Sequence, residues 1–494
     1  MARASHLLQR ALVLLLMAGA LWHAALRFQL IADPRHDLGG GEMNVVYGTQ
    51  KILLGEPLYT NPEEPLFEVV QYTPLFHLLC AAVARMAGID ALDTPELFAV
   101  GRALNLALSL LIAVLAYAIA RRLRLDAWWC AATGALALAF IANQYYGRPD
   151  ALATALLLGM LVLLLRRDDA PLSHVRLVWA AACAVGAALT KQNAAVGALI
   201  AVAHLALSDD RDALRRFLTF LLPLGAIGLM SLLLLGAPHA LYQNLVLSLR
   251  NGMGFTLYRA LADQGVYKYY AGWHVLSALG IAALLRRGSS NERLIALAAA
   301  VAYAAGLAGG LKHGSGLNYL VDAHVLGAMA GFAWLRRWAA TPRAIAGAAL
   351  LLYGALFMHH RLGLLRHLAA NDAFRAANAR ALAADQAVLA WLRQQDALDA
   401  ERPAFLVYRG HLELLLNGYA ALPQKDILEW SLTPPFDLRH LGELFRDGRI
   451  SVVIGDAPMD HLSFIGWRME LAPVAEVQGR WLYRPLPAQS VVGH

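Results

Sequence analysis

Apolar runs recur along the first 360 residues of this 494-residue chain, and arginine clusters separate them. Few folds accept that pattern. A run of about 20 apolar residues is long enough to cross a bilayer as a helix, and shorter runs are tolerated inside a bundle. Candidate spans lie at roughly 11–31, 98–120, 127–143, 151–165, 175–189, 194–207, 217–236, 271–285, 294–310, 320–335 and 343–358. That makes eleven. The composition agrees: 59% of residues are hydrophobic, mean hydropathy is +0.49 and only 16% are charged, against roughly 45–50% apolar content in soluble domains. The expected architecture is a polytopic α-helical membrane protein with a small soluble domain.

The arginines orient it. Arg121/Arg122/Arg124, Arg166/Arg167, Arg211/Arg215/Arg216, Arg286/Arg287 and Arg336/Arg337/Arg343 each fall at an even-numbered connection, on the side of Arg3 and Arg10. Cytoplasmic loops carry the excess of Lys and Arg, so that side is assigned to the cytoplasm. Runs 127–165 and 175–207 are each too long for one span, and reading either as one would throw successive clusters onto opposite faces. Each is expected to be a hairpin. The first segment lacks a small-residue cleavage site followed by a soluble chain and is expected to be an anchor. The formal charge of +7 resides largely in these clusters, which argues against a nucleic-acid partner. Cys80, Cys130 and Cys183 lie in apolar segments and suggest no disulfide framework.

The outer face collects the reactive polar residues. It receives the loop 32–97, the tips Gln144–Asp150 and Thr190–Asn193, the loop 237–270 and the segment 310–324. In the first loop, 75–87 is apolar at helical spacing but too short to span, and is expected to be an interfacial helix. From about 366 the composition changes. Residues 366–395 have a helical pattern; PAFLVYR and ISVVIGD are short β-branched runs bounded by Pro, Gly and Asp, as strands are; helical patterns lie between them and WLYRPL closes the series. A small extracytoplasmic α/β domain, 366–494, is expected after a membrane domain, 1–365.

Several pieces on the outer face resemble the GT-C glycosyltransferases, the superfamily of protein O-mannosyltransferases and lipid A aminoarabinose transferases. They are Asp37-x4-Glu42, LLGEPLY and QYTPLFHLL in the first loop, GRPDALA at 147–153, ALTKQN at 188–193 and GSGLNYL at 314–320. Many members carry an adjacent Asp-Glu pair or Tyr-Pro-Pro-Leu; here the two acids are five apart and Thr73 precedes Pro74. The resemblance implies inverting transfer of a sugar from a polyprenyl-phosphate donor, at the outer face, to an acceptor that is a protein, a lipid or a glycan. Such a transfer needs one base for the acceptor hydroxyl, and a phosphate leaving group needs no acid. Asp37 and Glu42 are the candidate catalytic carboxylates, with solvated loop acids as the bland alternative.

Candidates for substrate binding are Tyr72, Arg148, Asp150, Lys191, Gln192, Lys312, His313, Asn318 and Tyr319. Each has a plain counter-reading: Arg148 and Asp150 as a structural ion pair, Lys191 as snorkelling to headgroups, and 312–322 as a tight loop at the aromatic belt. The run Gly39–Gly41 permits positive φ and close approach of backbone to a ligand, or serves as a hinge. Arg250, Arg259 and Lys268 suit an amphipathic surface helix. The sequence makes no cofactor certain; a divalent metal between His313 and His324 stays open, although their spacing is not a ligand signature. The five lysines are Lys51, Lys191, Lys268, Lys312 and Lys425, none in an arginine-rich connection, and outer lysines suit a lipid phosphate. A lipid or solute transporter or flippase is the rival class, although it predicts repeated halves and none is visible.

Overall fold

The structure is a computed structural model that describes residues 2–38, 41–141, 146–166, 170–208, 210–250, 252–263, 267–421, 436–437, 439–464 and 467–486. Gly39, Gly40, Gln144, Arg167 and Lys425 lie outside them. A helix stands at each of the eleven apolar segments: α1 (Ala2–Gln29), α4 (Thr94–Arg122), α5 (Ala127–Phe140), α6 (Asp150–Leu164), α7 (His174–Thr190), α8 (Val196–Leu207), α9 (Arg211–Leu232), α12 (Tyr267–Arg287), α13 (Ser290–Gly310), α14 (Val321–Leu335) and α15 (Ala340–Ala369). Among the described residues five helices are long and apolar enough to cross a membrane: α1 from His6, α4, α9, α13 and α15. The two long runs are each broken into a helix pair, α5–α6 and α7–α8.

The arginine-side ends begin at acidic or hydroxyl caps, as helix starts prefer. Asp126 accepts from the amides of Trp128 and Trp129 at 3.0 and 3.1 Å, and Ser289 forms a reciprocal capping box with Glu292. Small residues then let backbones touch, as at other membrane helix contacts. A Cβ on Gly280 of α12 would sit 2.6 Å from the amide nitrogen of Gly331 on α14. One core runs through the bundle, from Leu16 and Ile112 through Leu136, Leu158 and Leu326 to Phe357.

The first outer loop holds more helix than its sequence suggests. Besides α3 (Leu75–Ala87), the segment α2 (Glu42–Leu54) is helical, and Glu42 through Lys51 are all buried. Its polar members are paired locally: Asn44 donates to Val69 O at 2.7 Å, and Lys51 meets Glu68 at 3.0 Å. Two short helices complete this side, α10 (Pro238–Leu245) and α11 (Thr256–Asp263).

α15 is 30 residues long, about 45 Å at 1.5 Å per residue, so it outruns the bilayer before breaking at Ala370. Asn371 caps α16 (Asp372–Gln394). Beyond it a six-stranded mixed sheet has the order β2-β1-β3-β6-β5-β4. Its strands are β1 (Ala404–Leu406), β2 (Ala420–Ala421), β3 (Val453–Gly455), β4 (His461–Phe464), β5 (Trp467–Val477) and β6 (Arg480–Pro485). β1 pairs in parallel with β2 and β3; the other pairings are antiparallel. α17 (His411–Leu415) and α18 (Arg439–Arg446) connect the strands. Buried Asp385 ties α16 to the sheet by accepting from Tyr408 Oη, Arg480 Nε and Leu412 N at 2.9, 2.8 and 3.1 Å.

This outer unit is docked on the first loop through α17. His411 Nε2 lies 2.8 Å from Pro34 O. A carbonyl only accepts, so Nε2 carries the proton and Nδ1 accepts from Thr94 Oγ1 at 2.7 Å. Gln50 on α2 donates to Leu414 O at 3.3 Å.

Candidate active site

The loop that carries both candidate carboxylates is held by Arg102, which sequence reasoning passed over. Arg102 lies on α4 with 1% of its surface exposed. Its guanidinium donates to Asp33 O at 2.6 Å, Arg35 O at 2.8 Å and both oxygens of Glu42 at 3.0 Å. An ionisable residue within an apolar span is expensive and is retained for a reason, and that was the signal available in the sequence. Glu42 is equally buried. Besides Arg102, its Oε1 accepts from Gly147 N and its Oε2 from Leu38 N, each at 2.7 Å. Each oxygen therefore has two donors, a saturated and fixed arrangement.

Gly147 reaches Glu42 because its α-carbon lies against α4: a Cβ there would stand 2.9 Å from Gly101 C. That contact sets the segment 147–150 beside the first loop. On the loop side, Gly41 has φ 90 and donates its N–H to Asp37 Oδ2 at 2.9 Å. A side chain at 41 would be strained by that φ. Its Cβ would stand 3.6 Å from Arg148 Nε and from Tyr72 Oη. Asp37 is half-buried, and the amide it accepts belongs to the residue that faces Tyr72 and Arg148.

Arg148 donates to Tyr72 Oη at 2.8 Å and faces the rings of Tyr72 and Tyr146 at 5.8 and 5.6 Å. Its Nε lies 3.5 Å from Asp150 Oδ2, too long for a hydrogen bond. Asp150 Oδ1 accepts from Lys191 Nζ at 2.6 Å and Asn318 Nδ2 at 3.0 Å. Lys191 Nζ also faces the Tyr319 ring at 4.9 Å. These residues come from four separate tips: 72, 148–150, 191 and 318–319. A small cavity, ≈ 40 Å³, opens beside them between α6, α8, α13 and α14. Asp322 stands in its wall, accepting from Thr154 Oγ1 at 2.6 Å.

Lys312 adds a further cation. Burial and the neighbouring charge of Lys191 bring its ammonium down from the usual lysine range to about 8. Burial likewise pushes the Tyr72 hydroxyl up, so Tyr72 stays a neutral donor.

Not every candidate enters the cluster. Gln192 turns aside and donates to Gln71 O at 2.6 Å, holding the strand-like approach to Tyr72. His313 lies on a short bridge to 252–254: its N–H donates to Gly252 O at 3.0 Å, and its ring abuts Gly254. His324 belongs instead to an aromatic cluster with Phe140, Tyr270, His274 and Tyr303. No group of three or more His, Cys, Asp or Glu among the described residues could hold a metal.

No sequence-family model and no curated protein matches the chain. Solved structures do. The crystal structure of ArnT from Cupriavidus metallidurans bound to undecaprenyl phosphate superposes with a TM-score of 0.60 at 16% identity, covering 95% of this chain and 97% of that one. Its apo form gives 0.59 at 17% identity over the same shares. The chain has the GT-C fold. The archaeal oligosaccharyltransferase AglB from Archaeoglobus fulgidus, in complex with an inhibitory peptide and a dolichol-phosphate, matches with a TM-score of 0.58 at 11% identity, covering 90% of this chain and 69% of that one. The resemblance read from scattered outer-face motifs is thus borne out at the level of fold, and the motifs converge: GRPD, TKQN and GSGLNYL meet at Asp150.

Proposed function

We propose that this protein is a membrane glycosyltransferase that moves a sugar from a polyprenyl-phosphate donor to an acceptor on the outer face of the cytoplasmic membrane. The observation that carries the proposal is the joining of Asp37, through Gly41, to a cationic cluster of Arg148, Lys191 and Lys312 on a GT-C fold. The similar ArnT structure is bound to undecaprenyl phosphate and the AglB structure is in complex with a dolichol-phosphate, which supports a lipid phosphate as the group those cations meet.

In this reading Asp37 is the base. It is half-buried, and its Oδ2 accepts from the backbone amide of Gly41. It takes the acceptor hydroxyl proton as that oxygen attacks the anomeric carbon; the bond from carbon to phosphate oxygen breaks and the anomeric centre inverts. The electron pair leaves on the lipid phosphate, whose growing charge faces the ammonium and guanidinium groups. Fixed charges aimed at developing charge are commonly the largest catalytic term, and a compact ammonium meets a phosphate from any direction. Glu42 is a positioning residue, since every lone-pair direction facing the loop is occupied. Asp150 orients Lys191 and Asn318. Division at about residue 365, a cytoplasmic N-terminus and eleven crossings complete the proposal.

Purified protein supplied with radiolabelled polyprenyl-phosphate sugars and envelope acceptors tests it. Label should move to the acceptor and free polyprenyl phosphate should accumulate. Labelled lipid translocated in proteoliposomes with no transfer would instead make the protein a transporter.

A further inference from the structure

The end of the bundle opposite Asp150 holds a cavity of about 590 Å³ that the transfer reaction does not use. Six arginines line it: Arg121, Arg122, Arg124, Arg166, Arg336 and Arg337. They come from three different connections, and the first turn of α13 forms the remaining wall. Glu292 bridges Arg336 at 3.2 Å and Arg337 at 2.5 Å, and Asp210 pairs with Arg166. Three buried polar atoms there have no hydrogen-bond partner: Arg166 Nε, Arg336 Nε and Ser290 Oγ. An orientation bias accounts for arginines in these connections; it does not require three connections to turn arginines onto one cleft, with a buried donor left unmet on Arg166 and on Arg336. Unmet buried donors are destabilising, and an anion in the cleft would remove that cost.

The cleft adjoins a second cavity. This cavity, ≈ 230 Å³, shares Arg124 and Arg336, and its lining sets Leu125, Trp129, Phe332 and Leu335 beside the polar groups of His6, Gln9, Asp126 and Arg343. Trp129 and Phe332 pack there with ring centres 4.9 Å apart. A cationic mouth joined to an aromatic and aliphatic floor, at the level where spans end, matches a phosphate with an acyl chain attached. A free anion would need only the mouth.

We propose that this cleft binds the phosphate headgroup of an anionic phospholipid from the adjoining leaflet, with the chain lying over Trp129, Phe332 and Leu335. Guanidinium groups suit the task, because their forked donors meet phosphate oxygens in pairs. The N-terminal end of the α13 dipole adds a favourable field. The site stands apart from the transfer reaction and does not depend on it.

The test is lipid retention by the full-length chain, delipidated in detergent and read by native mass spectrometry. The probes are phosphatidylglycerol, phosphatidylcholine and glycerol 3-phosphate. Phosphatidylglycerol should be retained at least tenfold better than phosphatidylcholine, and glycerol 3-phosphate should neither bind nor compete at matched concentration. Arg121→Gln with Arg336→Gln should cut phosphatidylglycerol retention about tenfold, roughly 1.4 kcal/mol. Glu292→Gln keeps an amide able to complete the capping box and frees two arginines, so retention should rise severalfold. Loss in one variant with gain in the other is a pattern that misfolding does not produce. Unchanged retention in the double variant overturns the site; glycerol 3-phosphate binding as well as the lipid overturns the lipid assignment.

Discussion

Replacing Glu42 with Gln separates the two carboxylates of the first loop. Glu42 and Arg102 are each 1% exposed, and the carboxylate takes two donors per oxygen: Arg102 Nε and Gly147 N on one, Arg102 Nη2 and Leu38 N on the other. Whichever way the Gln amide is turned, its NH2 faces two N–H donors, so two hydrogen bonds become repulsive contacts. The charge on Arg102 also loses the carboxylate it pairs with while remaining buried. Breaking one side of a buried ion pair costs about 3–5 kcal/mol. Asp37→Asn is different: an Asn Oδ1 still accepts from Gly41 N, the site is half-buried, and the loss of stability should be smaller than in Glu42→Gln. Turnover should nevertheless fall about 10²–10⁴-fold, the usual cost of losing a general base. The measurements are thermal unfolding in detergent and initial transfer rates on the same preparations. A Glu42→Gln protein as stable as wild type, or an Asp37→Asn protein with near wild-type turnover, would refute the division of labour.

Lys191→Ala should weaken donor binding or turnover at least tenfold, about 1.4 kcal/mol, measured as donor kinetics; unchanged kinetics would remove lysine from the phosphate site. Lys312, held near 8 instead of 10.5, should be charged below about pH 8 and lose its proton above it, so donor KM should rise through that pH and the rise should vanish in Lys312→Arg. The stability sign is opposite: the folded chain binds fewer protons than the unfolded chain between about 8 and 10.5, so this group makes stability rise with pH across that window. Burial lowers the His411 imidazole, so the docking of α17 on Pro34 and Thr94 should weaken as pH falls below about 6.5, read as faster limited proteolysis after residue 370. A reporter that needs an oxidising compartment, fused after residue 370, should be active; activity of a cytoplasm-only reporter there would refute the eleven-crossing topology.

The helices of the bundle were legible because hydropathy and arginine parity are strong, additive signals. Parity alone split 127–165 and 175–207 into the pairs that stand as α5–α6 and α7–α8. α2 was not legible, because Asn44, Thr49, Gln50 and Lys51 look like solvated loop and are in fact buried against partners up to hundreds of residues away. β5 was missed for a related reason: its alternation is weak, and the informative signal was the turn Gln478-Gly479, both at positive φ, which returns the chain into β6. At the site, residue types at outer tips identified Tyr72, Arg148, Asp150, Lys191, Asn318 and Tyr319 without any knowledge of which pairs meet. Arg102 was legible in principle as an arginine in an apolar run; it was absorbed into the span because only its position near the outer end distinguishes it.

The sheet domain and Asp37, the proposed base, belong to one mechanical chain. Arg102 fixes the carbonyls of Asp33 and Arg35, and His411 fixes the carbonyl between them, that of Pro34. Three consecutive carbonyls are thus clamped from two sides, by a membrane helix and by the sheet domain, immediately before His36 and Asp37. The side chain of Arg35 is anchored as well, by its ion pair to Asp33 and by Phe374 on α16, whose ring its guanidinium faces at 5.1 Å. A loop with so few apolar contacts of its own would sample many conformations if one clamp were released, and ordering it anew would cost on the order of 1–2 kcal/mol per residue. On this argument the sheet domain need not touch substrate to govern turnover. Its docking through α17 sets where Asp37 stands relative to Tyr72 and Arg148, so disrupting that docking should lower turnover far more than it changes donor affinity, which rests on cations held by other tips.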